Sequence, residues 1–103
     1  MRKWSSLSEL MPQAEVFKAL AHPARLLMVV ELSRGERCVC DLAELVGFEM
    51  PTISRHLSQL RYAGIVDFEK RGVQVFYRLK MPCVIGFLQC LDKSGHSARL
   101  AEA

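Results

Sequence analysis

Four cysteines are the side chains in this sequence best suited to bind small ligands. Cys38 and Cys40 are separated by one residue, and Cys83 and Cys90 lie seven residues apart. Thiolate sulfur is a soft ligand that selects soft, thiophilic ions. An even set of cysteines also permits disulfides in a secreted chain, whereas a reducing compartment favours metal binding or redox sensing.

Neither a membrane span nor a secretion signal is predicted. The longest apolar runs, such as residues 26–30 and 84–88, are far shorter than the roughly 20 residues that cross a bilayer. Polar residues beginning at Ser5 follow the basic start, where a signal peptide needs an uninterrupted apolar stretch. We therefore expect a cytoplasmic protein with reduced thiols and no membrane partner.

Length and composition predict a single globular domain. The chain has 103 residues, of which 50% are hydrophobic and 24% charged, and this apolar content excludes intrinsic disorder. A net charge of +3 permits an anionic partner without requiring one. We expect one domain over residues 1–103, with flexible tails at 1–11 and 93–103. In so small a domain, an exposed apolar helix face would be an oligomer contact.

Apolar periodicity predicts four helices in the first two thirds of the chain. The first has Pro12 in its first turn, and the second runs from Pro23 to about Ser33. Helix three covers about residues 39–46, and Pro51 opens helix four after a tight turn. Two helices joined in this way are typical of a helix-turn-helix. The inward stripe of helix four consists of Ile53, Leu57 and Leu60.

After Gly64 the pattern changes from helical to alternating. Residues 65–69 and 75–79 are rich in β-branched and aromatic side chains and predict a two-stranded hairpin. Pro82 then opens a last helix over about residues 83–91. The predicted fold is mostly α with a small β-hairpin, an α+β winged helix-turn-helix in the order α-α-α-α-β-β-α.

The outward face of helix four is polar and carries only positive charge, which suits phosphates and base edges in a major groove. Two cations at the hairpin tip are placed to anchor phosphate beside that helix. A solvated surface is the alternative for each residue alone, but the motif and the charge together favour double-stranded DNA as the partner. The predicted DNA-contacting residues are Thr52, Ser54, Arg55, His56, Gln59, Arg61, Lys70 and Arg71.

The histidines are not expected to bind metal. His56 has no second histidine three or four residues away, and His22 precedes a helix proline, where it would cap or pack. His96 has no assigned role.

Three segments resemble the ArsR/SmtB family of small bacterial winged-helix repressors. They are FKALAHPARL at 17–26, CVCDL at 38–42 and PTISRHLSQL at 51–60, and the likeness extends over about residues 14–91. The resemblance implies a homodimer joined mainly by the first and last helices. It also implies repression by the ligand-free dimer on a palindromic operator and release when an inducer binds.

Within that family, CVCDL resembles the arsenite- and antimonite-responsive branch. This implies arsenite or antimonite as inducer at Cys38 and Cys40, and another soft metal ion also fits thiolate ligands. That branch often has a third cysteine where this chain has Ala43. Cys83, Cys90, a small thiol or hydroxide are candidates for the third ligand, although packing at the dimer contact is the simpler role for Cys83 and Cys90. The ligand sets of the cadmium- and lead-sensing branch and of the zinc-sensing branch are absent.

The position of the Cys38–Cys40 pair suggests how binding becomes a switch. Cys38 is predicted as the N-cap of helix three, where the helix end lowers a thiol pKa. Side chains two apart within a helix point about 200° apart, but Cys38 at the helix boundary has non-helical dihedrals and turns back over the first turn. We therefore expect only modest local unwinding to bring both sulfurs to one ion. That unwinding would displace helices three and four and lower DNA affinity.

Two alternatives use the same thiols. A redox- or persulfide-sensing repressor would link a helix-three cysteine to Cys83 or Cys90. A thiol enzyme would need a base, and no histidine lies near Cys38 or Cys40 in the sequence. The chain is therefore not expected to be an enzyme.

Overall fold

Five helices and three strands make up residues 3–94, the part of the chain that the computed structural model describes. In chain order they are α1 (Leu7–Leu20), α2 (Pro23–Leu32), β1 (Arg37–Cys38), α3 (Val39–Val46), α4 (Met50–Tyr62), β2 (Val66–Arg71), β3 (Gln74–Leu79) and α5 (Cys83–Lys93). The winged helix-turn-helix predicted from the sequence is confirmed, with α3 and α4 as its two helices. No helix in this part of the chain is long and apolar enough to cross a membrane.

The sheet has three antiparallel strands rather than the predicted two. Its order is β1-β3-β2, and β2 with β3 forms the predicted hairpin around a turn at Gly72, whose φ is +62°. The added strand β1 pairs Arg37 with Tyr77 and Cys38 with Phe76 of β3. Two residues are too few to show a strand periodicity, so the sequence pattern cannot reveal them. We call the β2–β3 hairpin the wing; β1 fastens the start of α3 to it.

One apolar core lies beneath the helix-turn-helix. The predicted inward stripe of α4 is confirmed, because its three apolar side chains are completely buried. Burying this stripe leaves the opposite, polar face of α4 outward. The largest fully buried side chains are Met28, Val29, Leu42, Ile53, Leu57, Leu60, Ile65 and Val66.

The ends of α2 and α3 have clear local causes. His22 is the N-cap of α2, and its Nδ1 accepts a hydrogen bond from the Ala24 N–H at 3.0 Å, which confirms its predicted capping role. Gly47 ends α3 with a φ of +83°, and its N–H donates to the Ala43 carbonyl at 2.8 Å. The turn between α3 and α4 is therefore determined locally, by the left-handed conformation of Gly47 and its hydrogen bond to Ala43.

The first helix begins earlier than predicted. α1 begins at Leu7, so Pro12 lies inside the helix and residues 7–11 are helical rather than part of a tail. Glu9 helps to start it, since its carboxylate accepts from the Ser6 hydroxyl at 2.8 Å and from the Trp4 N–H at 3.1 Å. At the other end α5 includes Lys93, and residues 95–103 of the predicted tail lie outside the described part of the chain.

A broad apolar face is exposed on α1 and α5. The rings of Phe17 and Phe87 meet edge to face, with centroids 5.6 Å apart, and both side chains remain about half exposed. The face continues along α1 through Leu7, Leu10 and Met11, which are also exposed. Exposed apolar patches of this kind mark interaction surfaces.

Candidate thiol site and nucleic-acid interface

The thiols of Cys38 and Cys40 lie against each other at the start of α3. Their Sγ atoms are 2.7 Å apart, and the Asp41 N–H donates to the Cys38 Sγ at 3.4 Å. Cys38 is the N-cap, as predicted, with extended backbone at φ −77° and ψ 162°. That backbone turns its side chain back over the first helical turn, where Cys40 lies.

Bringing the two sulfurs together needs no unwinding of α3. The Sγ atoms of Cys38 and Cys40 are already in contact while α3 is helical from Val39, so the modest local unwinding expected from the sequence is not needed for this contact. The non-helical dihedrals of the N-cap residue supply the rotation that two fully helical positions lack. Any conformational response to a ligand must therefore come from a change in the positions of the two sulfurs, which are already in contact before the ligand binds.

The two thiols differ in burial and share a third possible ligand. Cys38 is 5% exposed, whereas Cys40 is open to solvent. The Asp41 carboxylate lies with both sulfurs in a group whose ligand atoms are all within 4.8 Å of one another. Within residues 3–94 of one chain, neither Cys83 nor Cys90 joins this group, and both are exposed on α5. Asp41 was not predicted as a ligand from the sequence, although an acidic residue in the first turn of a helix is a recognisable signal.

The pKa of the Cys38 thiol is raised, not lowered as the sequence argument expects. The hydrogen bond shared with the Cys40 thiol is the largest cause, and burial is the next. The Asp41 N–H lowers the pKa, as a helix N-terminus should, but these two effects outweigh it. At neutral pH Cys38 is therefore a protonated thiol, and a bound ion must displace its proton.

The solvent face of α4 carries most of the residues predicted to contact DNA. Arg55 and Arg61 are exposed, and neither forms an ion pair within residues 3–94. The Arg61 guanidinium lies over the Phe68 ring, 4.3 Å from its centroid, which holds it beside the wing. Of the polar residues, Ser54 and Gln59 are exposed and Thr52 is half-buried.

His56 has a different position from the other predicted contacts. Its ring is half-buried, 4.5 Å from the His22 ring, and its Nδ1 accepts from the Arg25 Nε at 3.0 Å. Arg25 also donates to the Ala19 carbonyl at 3.2 Å, so this group ties α4 to α1 and α2. Burial lowers the pKa of His56, and the nearby His22 and Arg25 lower it further. His56 is therefore neutral at pH 7 and leaves one ring nitrogen for any contact with DNA.

The two cations near the wing tip are not equivalent. Arg71 pairs with Glu69 at 2.8 Å and with Glu36 at 3.0 Å, and its guanidinium packs over the Phe76 ring. Lys70 is exposed and has no ion pair within the described residues. Lys70 therefore offers an unneutralised charge, whereas Arg71 must share its guanidinium or break its pairs to meet a phosphate.

A helix-turn-helix followed by a β-hairpin defines a winged-helix domain of the kind that binds DNA. Known proteins similar to this chain indicate which family of winged-helix proteins it belongs to. Residues 22–67 match the family described as "Bacterial regulatory protein, arsR family". The chain belongs to this family, as its resemblance to ArsR/SmtB repressors implied.

Relatives and solved structures agree with this assignment. The chain is 46% identical over 74 residues to the arsenical resistance operon repressor of Escherichia coli, covering 71% of this chain and 62% of that one. It is 37% identical to the transcriptional repressor BigR of Xylella fastidiosa, with a TM-score of 0.70 and coverage of 77% and 81%. A homodimeric winged helix-turn-helix DNA-binding domain of Mycobacterium bovis, a possible ArsR-family regulator, has a TM-score of 0.79 at 28% identity, covering 88% and 87%.

Two consequences follow from these relatives. The chain spans 56–62% of the length of several curated relatives that it matches. The three named proteins are transcriptional regulators or DNA-binding domains, which confirms the expectation that the chain is not an enzyme.

Proposed function

We propose that this chain is a cytoplasmic, homodimeric repressor that leaves its operator DNA when arsenite or antimonite binds Cys38 and Cys40. The observation that carries the proposal is the 2.7 Å contact between these two sulfurs at the start of α3, the helix that supports the recognition helix. The relative from Escherichia coli, an arsenical resistance operon repressor, supports the choice of inducer.

Operator binding uses the polar face of α4 in the major groove. The exposed, unpaired guanidiniums of Arg55 and Arg61 meet phosphates or base edges, and Lys70 of the wing meets the flanking backbone. Thr52, Ser54 and Gln59 supply hydrogen-bonding groups on the same helix. His56 and Arg71 are also proposed to contact DNA, although each already has a partner within the chain.

Dimerisation uses the exposed apolar face of α1 and α5. The Phe17 and Phe87 rings lie at its centre, still half exposed in the single chain. A second copy related by a two-fold axis would cover this face and place two recognition helices on the half-sites of a palindrome. The homodimeric state of the Mycobacterium bovis neighbour supports this arrangement.

A neutral metalloid hydroxide carries oxygen atoms that can take up the thiol protons when it reacts. When As(OH)3 reacts, the S–H bonds of Cys38 and Cys40 and two As–O bonds break, two As–S bonds form, and two water molecules leave. The arsenic stays trivalent, and no proton is released to solvent. A divalent cation must instead expel the proton of Cys38, whose pKa is raised, which weakens its binding at neutral pH.

The ligand lowers DNA affinity through two contacts of Cys38, its backbone pairing with the wing and its sulfur contact with Cys40. This residue is buried and paired with Phe76 of the wing, whereas Cys40 is exposed in the first turn of α3. An arsenic atom inserted between sulfurs 2.7 Å apart must spread them, and the exposed partner is the one free to move. The first turn of α3 then shifts against the anchored wing. A coupling of about 1–3 kcal/mol would lower operator affinity roughly 5–150-fold.

Titration of the operator complex tests this proposal. Arsenite, antimonite, zinc and cadmium are added to fluorescent operator DNA bound by the reduced full chain, and release is followed by anisotropy. We expect release by arsenite and antimonite at concentrations that do not change between pH 6.5 and 7.5, whereas cadmium acts at lower concentration as the pH rises. The double variant Cys83→Ser, Cys90→Ser should respond as the wild type does. No release by either metalloid would contradict the proposal.

A redox-sensing or persulfide-sensing repressor is the second candidate, and the same sulfur contact favours it. Two thiols 2.7 Å apart can be oxidised to a disulfide with little movement, giving two electrons and two protons to an oxidant such as a peroxide. The link to Cys83 or Cys90 that the sequence suggested is not favoured within one chain, because neither lies with the pair. Operator release by peroxide without arsenic, with two hydrogen atoms lost from the Cys38–Cys40 peptide, would support this candidate.

A further inference from the structure

A pocket of about 230 Å3 opens directly beside the Cys38–Cys40 pair. Its walls come from the start of α3, the first turns of α4 and the turn of the wing. Within residues 3–94 no charged residue lines it, and its polar groups besides the two thiols are the Ser54 hydroxyl and the Gln74 amide. The apolar lining consists of Val39, Met50, Val73 and Val75.

The apolar side chains of this pocket are incompletely covered by the chain itself. Met50 is 47% exposed and Val73, in the turn of the wing, is 97% exposed. Apolar side chains left open around a concavity gain free energy when an apolar group covers them. A cavity of about 150 Å3 is enough to hold benzene, so this pocket has room for a phenyl group.

The valence of arsenic connects the pocket to the thiols. Trivalent arsenic forms three bonds, and the pair supplies two sulfurs. A monosubstituted arsenical, R–As(OH)2, has two exchangeable hydroxyls and one As–C bond. Its reaction breaks both As–O bonds and the S–H bonds of Cys38 and Cys40, forms two As–S bonds and releases two waters. The third position is then filled by the organic group, without a third protein ligand.

We propose that this site takes monosubstituted trivalent organoarsenicals, with arsenic on Cys38 and Cys40 and the organic group in the pocket against Met50 and Val73. The inference rests on the proposed function, since it uses the same two sulfurs, and it adds the chemical class of the inducer. The organic group would lie between the first turns of α4 and the turn of the wing, the two elements that meet DNA.

The test compares ligands that differ only in the group entering the pocket. Phenylarsenous acid and methylarsenous acid have the same two exchangeable hydroxyls, and arsenite serves as the inorganic reference. Each is titrated calorimetrically into the DNA-free full chain, reduced with a phosphine because dithiol reductants compete for arsenic. We expect the phenyl compound to bind at least about tenfold more tightly than the methyl compound, from the larger apolar area that it buries.

Variants of the pocket wall show whether this preference arises in the pocket. Met50→Gln and Val73→Thr keep the side-chain size and add polarity, and the second alters a side chain in open solvent, so the fold should be kept. We expect each to reduce the phenyl-to-methyl affinity ratio severalfold while arsenite affinity stays the same. Leu27→Gln is the matched control, because Leu27 is 43% exposed and lies outside the pocket, and it should keep the wild-type ratio.

The outcomes separate this inference from the proposed function. Equal affinities for the phenyl and methyl compounds, or a ratio unchanged in both Met50→Gln and Val73→Thr, would overturn the inference while arsenite binding still supports the proposed function. If none of the three arsenicals binds, or if Cys38→Ser binds them as the wild type does, the proposed function itself fails.

Discussion

Replacing Cys38 by serine should abolish induction while leaving the fold and operator binding in place. Serine is a good N-cap, and its hydroxyl can accept the Asp41 N–H that now points to sulfur, which stabilises α3 by up to about 1 kcal/mol. Against this, a hydroxyl is buried where a sulfur contacted Cys40, at a cost of about 1 kcal/mol. The free energy of unfolding should therefore change by less than about 1 kcal/mol, and Tm by less than roughly 8 °C.

The effect on induction should be much larger. With one of the two sulfurs gone, arsenite loses its bidentate site, and the roughly 5–150-fold release expected of the wild type should disappear. Thermal unfolding by circular dichroism and operator anisotropy with and without arsenite measure the two effects. Cys83→Ser, which removes an exposed cysteine from α5, is the matched control and should keep full release. Wild-type release by arsenite in Cys38→Ser would show that this sulfur is not a ligand.

Four further substitutions test the DNA interface and the packing beneath it. Arg55→Ala should weaken operator binding and reduce the slope of log affinity against log salt by about one, measured by anisotropy at several salt concentrations. Lys70→Ala should behave similarly, whereas Arg71→Ala should change the slope less, because Arg71 is already paired with Glu36. Thermal stability should fall on acidification. The folded chain holds the pKa of His56 low, so its contribution is complete above about pH 6.5 and is lost as the pH falls through the lowered value. His56→Gln should flatten that part of the pH profile.

Each of these has a result that would contradict it. An unchanged salt slope in Arg55→Ala would show that Arg55 does not contact a phosphate. If Lys70→Ala and Arg71→Ala reduce the salt slope equally, the ion pairs of Arg71 must break when the protein binds DNA. A pH profile of Tm that is the same in His56→Gln and the wild type excludes His56 as the titrating group.

The helices could be predicted from the sequence because their ends are marked by local chemistry. Pro23 and Pro51 occupy first-turn positions, and Gly47 adopts the left-handed conformation that its place after α3 requires. α1 was misplaced because Pro12 resembles a helix start. The Ser6–Glu9 contact that begins the helix one turn earlier is a weaker signal.

The missed features depend on contacts between distant parts of the chain. β1 exists because Cys38 meets Phe76, 38 positions later, and no local pattern encodes that pairing. Arg71 is neutralised partly by Glu36, which the hairpin sequence alone does not reveal. The pKa of Cys38 was predicted in the wrong direction because the helix end is visible in sequence, whereas the Sγ–Sγ contact and the burial of Cys38 are not.

The pairing of β1 with β3 has a consequence for evolution and engineering. Cys38, the proposed inducer ligand, pairs through its backbone with a strand of the hairpin that we propose to contact DNA. Under the proposed function, exchanging that hairpin for one from a relative would therefore change ligand sensitivity together with operator choice. The two proposed specificities would then not be separable modules, and a biosensor built on this chain would have to be selected for both at once.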